Sequence, residues 1–149
     1  MIASLVGSEM CIRDRCEADH LFATRLWQNN SKVHFDINAR EDKKRLIYGG
    51  HIISLVRALS FNGLENAQLI VGINGGTHAN PVFAEDTIYC WSEVLDKIDL
   101  NVRNIAALRL RSVGTKEKNH NMRLKSDDGK YLPTIVLDFD YWVLVPKEL

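Results

Sequence analysis

The chain has 149 residues, 46% of them hydrophobic, with 19 basic residues balanced by 19 acidic ones. That length holds one domain with a real core and excludes two ordinary ones. The even charge, with no basic stripe interleaved with aromatics, excludes general nucleic-acid binding, and no apolar run approaches the ~20 residues of a membrane span. Cys11, Cys16 and Cys90 are odd in number and lack CxxC spacing, which argues against a disulfide framework or zinc knuckle and for a reducing cytoplasm. No two histidines stand at metal-ligand spacing, so no metal is expected.

Residues 1–15 do not read as the start of this domain. The string from Ser4 to Arg15 resembles translated sequencing-adapter read-through at the edge of an assembled environmental read, and it is excluded from fold reasoning. A signal peptide fits poorly, because the apolar stretch is short and Glu9 interrupts it. Residues 16–149 are then one domain, and the native chain is expected to continue further upstream.

Leu21, Phe22, Leu26 and Trp27 have helix-compatible spacing over residues 18–28. Asn29-Asn30-Ser31 is turn chemistry, and residues 32–36 follow as a brief extended piece. Residues 36–45 are polar and charged, a solvated connection. Tyr48-Gly49-Gly50 then opens the strongest element, a helix with Ile52, Leu55, Val56 and Leu59 at i, i+3, i+4 and i+7, which places all four on one face. The glycines allow a close backbone approach, and the unpaired N–H groups of the helix start can hold a developing negative charge. Gly63 is placed for a left-handed stop.

Everything downstream reads as sheet. Residues 67–77 form a strand whose Gly72, Gly75 and Gly76 predict a bulge, or a face left bare for another group. A turn over 81–87 leads into a strand over 88–95, with Ile88, Cys90 and Val94 opposed to Tyr89, Trp91 and Leu95. Residues 105–113 alternate, and 114–132 form a long polar connection. The last strand, 134–145, sets Ile135, Leu137, Phe139, Tyr141, Val143 and Val145 on one face, leaving Asp138 and Asp140 on a solvated one. One apolar helix and four antiparallel strands imply an α+β domain whose sheet curls around the helix.

This order, together with Asn29-Asn30-Ser31-Lys32-Val33-His34-Phe35-Asp36 and the Pro81-Val82-Phe83-Ala84-Glu85-Asp86-Thr87 link, resembles the MaoC-like (R)-specific enoyl-CoA hydratases of the hot-dog fold. The resemblance covers roughly residues 26–146. The family's signature runs Asp-x-Asn-Pro-(Leu/Ile)-His-x-Asp. His34 and Asp36 match it, while Asn29 stands at the catalytic Asp position and Ser31 and Lys32 replace Asn-Pro. Further segments, among them Ile73-Asn74-Gly75-Gly76 and Trp91-Ser92-Glu93-Val94-Leu95, are similar to the branch that interconverts mesaconyl-CoA and methylmalyl-CoA. Members of that branch carry two hot-dog halves, and this chain resembles the C-terminal one.

The resemblance implies a hydro-lyase acting on a branched dicarboxylic enoyl-CoA. It implies no cofactor beyond the coenzyme A thioester of the substrate, and a second hot-dog domain as partner, either a missing N-terminal half or another copy. His34 is the expected base and Asn29 an orienting group. The backbone amides of Gly50 and His51, entered through Gly49, are the expected donors to the thioester oxygen. Asn74 and His78 are further pocket candidates. Arg57, Arg109, Arg111, Lys116 and Lys118 are unranked candidates for the coenzyme A phosphates. A thioesterase fits less well, because beyond its start the helix offers only Ser54, Arg57 and Ser60 as polar members. The alternative is a non-catalytic half that supplies packing and coenzyme A surface to a catalytic partner.

Overall fold

The structure, a computed structural model, describes residues 5–8, 17–67, 69–102, 104–118 and 123–147. Helix α1 spans Glu17–Leu26 and helix α2 Gly49–Leu59, with single 3-10 turns at Lys32–His34 and Ile37–Ala39 between them. The strands are β1 (Leu5–Ser8), β2 (Leu69–His78), β3 (Tyr89–Val102), β4 (Ile105–Thr115) and β5 (Ile135–Pro146). They form one antiparallel sheet in the order β1-β3-β4-β5-β2. The sheet is open, with β1 and β2 at its edges.

Helix α2 forms where the apolar period demands it. Ile52, Leu55, Val56 and Leu59 are all buried against β3, β4 and β5. The opposing wall is the alternate row Ile135, Leu137, Phe139, Tyr141 and Val143 of β5. The helix comes so close to β4 that a Cβ on Gly114 would stand 2.8 Å from Val56 Cγ2 and 3.2 Å from Val136 Cγ2. Gly114→Ala should therefore destabilise the fold by about 1–3 kcal/mol through overpacking. That exceeds the ~0.4–1 kcal/mol gained by stiffening the unfolded chain. A urea midpoint at or above the parent's would contradict the close contact.

A buried polar relay fixes how the helix sits on the sheet. The Ser60 hydroxyl donates to Val56 O at 2.8 Å, and its proton is then used. It must therefore accept from Ser92 at 3.1 Å, Ser92 from Ser112 at 2.8 Å, and Ser112 from the Tyr141 hydroxyl at 2.9 Å. Arg57 Nη1 in turn donates to the Tyr141 oxygen at 3.1 Å. Each hydroxyl in the chain both donates and accepts, so a buried polar path costs little and strengthens cooperatively. Tyr141→Phe breaks it in the middle. The expected loss is about 1–3 kcal/mol with the fold retained, because Ser112 loses its donor and Arg57 its acceptor. An unchanged thermal midpoint would show the relay to be dispensable.

Several expectations change. Residues 32–36 are not extended: Phe35 N–H and Asp36 N–H both donate back to Lys32 O, closing a tight turn. Helix α1 is a helix, but it buries His20 and Thr24 and leaves Phe22 and Leu26, like Trp27 just after it, about two-thirds exposed. Gly63 does adopt a left-handed φ of 83°, within the turns that follow α2 rather than at its immediate end. Strand β3 runs seven residues further than expected. Strand β2, whose glycines predict a bulge or a bare face, has two register shifts, between Ile70 and Gly72 and between Ile73 and Gly75. Of the segment read as foreign, residues 1–4 and 9–15 lie outside the described residues, while Leu5–Ser8 pairs with Cys90–Glu93 of β3 by backbone register. An open sheet edge accepts any extended tetrapeptide through its main chain, so this pairing carries no information about origin.

Candidate active site

The 3-10 turn Lys32–His34 carries the imidazole, and three bonds fix the turn. Asn29 Oδ1 accepts the Ser31 N–H at 2.9 Å, His34 N–H donates to Ser31 O at 3.1 Å, and Leu46 N–H donates to Val33 O at 2.9 Å. The ring of His34 is buried, with Nδ1 2.7 Å from the Leu46 carbonyl oxygen. A carbonyl only accepts, so Nδ1 carries a proton, and in the neutral ring Nε2 is the nitrogen that keeps its lone pair. The Tyr48 ring meets His34 edge to face at 5.7 Å between centroids.

The glycine pair is demanded by two rings lying against the start of α2. A Cβ on Gly50 would fall 2.6 Å from the Tyr48 ring, and one on Gly49 would fall 2.6 Å from His78 Nε2. Tyr48 occupies the cap position with no side-chain hydrogen bond to the helix. The His51 N–H is taken by Tyr48 O at 3.0 Å. The amides of Gly49 and Gly50 find no acceptor among the described residues. The open donors are thus shifted one residue towards the N-terminus from the expected pair of Gly50 and His51.

A cavity of about 380 Å³ joins these parts, lined by His34, Gly49, His78 and Asn80 against an aliphatic wall that includes Ile52 and Val136. His78 ends β2 and stands at the exposed mouth. Packing of its ring lowers the imidazole pKa from its ordinary value, and burial is the only cause acting on it. Asn80 has its amide nitrogen fixed by the carbonyls of Leu132 at 2.9 Å and Ile135 at 2.7 Å.

Of the residues picked from sequence, the cavity brings together His34, Gly49 and His78. Gly50 sits behind the Tyr48 ring, and His51 is half-buried outside the lining. Asn29 is not in the lining either; its side chain serves the turn that carries His34. Asn74 is elsewhere, exposed on β2 and donating to Asp140 Oδ1 at 2.8 Å. Asp140 also takes Arg109 as a two-pronged partner, at 3.0 and 2.6 Å, and the guanidinium holds its carboxyl below the usual carboxylate range. Arg111 pairs with Asp138 at 3.1 Å and Lys116 with Asp86 at 2.7 Å, while Arg57 turns inward, so these phosphate candidates already have partners. Asn80 was missed; its only sequence signal is a turn-forming Asn-Pro pair. Among the described residues, no group of three His, Cys, Asp or Glu is placed to hold a metal ion.

No protein-family model matches the chain. It is 59% identical over 131 residues to a mesaconyl-CoA hydratase of Cereibacter sphaeroides, covering 88% of this chain and 38% of that protein. It is 52% identical over 136 residues to a beta-methylmalyl-CoA dehydratase of Chloroflexus aurantiacus, covering 88% of this chain and 39% of the relative. The chain therefore spans about two-fifths of the curated relatives it matches. A crystal structure of a MaoC domain protein dehydratase from Chloroflexus aurantiacus superposes with a TM-score of 0.92 at 44% identity, covering all of this chain and 44% of that one. A Mycobacterium tuberculosis protein described as a double hot-dog shares the fold, with a TM-score of 0.67 at 13% identity and 42% of its length covered. Helix, antiparallel sheet and relatives agree: the chain has the hot-dog fold, and over most of its length it is similar to part of the MaoC-like hydratases and dehydratases.

Proposed function

We propose that this chain is a catalytic hot-dog unit of a hydro-lyase that adds water to mesaconyl-CoA, giving methylmalyl-CoA, and removes it in reverse. The observation that carries this is the bare Nε2 of a buried histidine, in one cavity with a helix start whose first amides are open. Water gives its proton to His34 Nε2 as its oxygen bonds the alkene carbon beta to the thioester. The displaced electron pair moves to the thioester oxygen, where the open amide of Gly49 at the helix start holds the charge. Such donors are worth roughly 3–4 kcal/mol of barrier when well aimed. Return of a proton to the alpha carbon restores the carbonyl, so no cofactor is needed beyond the thioester substrate.

The unit works with a second hot-dog domain. Among the described residues strand β2 pairs with β5 alone, and it exposes Leu69, Val71 and Ile73, each more than half accessible. Such an edge invites pairing. The relatives are more than twice as long as the matched stretch, which leaves room in them for that domain. The cytoplasm is the proposed compartment, where the buried thiol of Cys90 stays reduced. Among the described residues no helix is long and apolar enough to cross a membrane.

One observation favours a second reading, a non-catalytic half: no carboxylate lines the cavity, and Asn29 is engaged elsewhere. Incubating the purified chain with mesaconyl-CoA and following loss of the enoyl chromophore separates the two. Turnover supports the catalytic reading; binding without turnover supports the other.

A further inference from the structure

We propose that His78 receives the far carboxylate of a dicarboxylic acyl group, so that this one imidazole makes the cavity prefer dicarboxylic to monocarboxylic thioesters. The inference rests on the acyl-thioester reading above and deepens it. The polar atoms of the cavity can be taken in turn. His34 has committed its Nδ1 proton to the Leu46 carbonyl, and as the base of the proposed reaction it must keep a lone pair at Nε2, which repels an anion. Asn80 has both amide protons directed at backbone carbonyls, so what it has left is an acceptor oxygen. Among the described residues neither Arg nor Lys lines the cavity, and the rest of its side-chain lining is apolar. The open amide of Gly49 at the helix start is taken by the thioester oxygen.

His78 is the side-chain donor that remains. Its ring nitrogens make no hydrogen bond among the described residues, and Nε2 lies directly over Gly49, inside the lining. A neutral imidazole donates one N–H to a carboxylate. An arriving anion also favours the protonated ring, which adds charge to the bond. Without that donor, a carboxylate drawn into an aliphatic pocket loses its water and gains nothing in return.

The test is calorimetric titration of the purified chain with S-carboxypropyl-coenzyme A and S-butyl-coenzyme A. These are unreactive thioethers of equal length that differ in the terminal carboxylate. The parent should bind the carboxylated analogue more tightly. His78→Ala should weaken that binding about 10- to 100-fold and leave S-butyl-coenzyme A unchanged, and His78→Gln, which keeps an N–H donor, should recover part of the loss. An equal loss for both analogues, or no loss for the carboxylated one, overturns the role of His78 alone. If the parent binds neither analogue, the acyl-thioester reading itself falls and takes this inference with it.

Discussion

His34→Ala is expected to slow hydration of mesaconyl-CoA by about 100- to 10,000-fold, the range over which a positioned general base acts. The variant also removes the donor to the Leu46 carbonyl, so a loss of activity alone could reflect a loosened turn. His34→Asn separates the two effects. Its amide can donate to Leu46 O as Nδ1 does, but it has no basic nitrogen to take a proton from water. It should match the parent in thermal midpoint and match His34→Ala in rate. Parent-level turnover by either variant, measured from the enoyl chromophore, would remove His34 from the chemistry.

The second large effect concerns assembly. Val71→Lys with Ile73→Lys places two charges on the free edge of β2, where both residues are more than half exposed. Burying each side chain against a second hot-dog unit is worth about 1.5–3 kcal/mol. The pair of substitutions should raise the dissociation constant at least about 100-fold and leave each unit folded, because nothing in the core is touched. Sedimentation of the purified chain should show the parent paired and the variant single. A variant that pairs as the parent does would place the interface elsewhere, with the exposed Phe22 and Leu26 of α1 and Trp27 just after it the next surface to examine.

What the sequence made legible follows from burial. The four apolar positions of α2 and the alternate row on β5 are dictated by one face turned to the core, so their periods survive any detail of packing. Strand β3 was underestimated because its end, from Asp99 to Val102, is exposed and has no one-sided pattern to read. That end contains a left-handed Asn101, and the turn after it a left-handed Asn104, which a plain count of apolar residues does not register. The turn at Lys32–His34 was read as extended because its cause is local: an Asn29 side-chain bond and two amides converging on one carbonyl. Helix α1 shows the converse failure. Its apolar residues are present at helical spacing, yet the face turned inward carries His20 and Thr24.

The candidate site was legible in part for the same reason. His34 and the glycine entry carry local signals, while the cavity is closed by residues distant in sequence. His78 and Asn80 reach it only because β2 ends beside α2, and Asn74, four residues earlier on that strand, is held on the outer side by Asp140. Both glycines prove necessary for a reason that spacing does not reveal, two aromatic rings lying against their α-carbons.

The central claim is that His34 presents a bare Nε2 to the cavity because Nδ1–H is fixed on Leu46 O. Nitrogen-15 spectra of the imidazoles in the purified chain test it directly. The account predicts that the neutral ring of His34 carries its proton on Nδ1, and that the Nε2 signal moves when S-butyl-coenzyme A is added. A proton on Nε2, or an Nε2 signal indifferent to the thioether while other residues respond, would contradict it.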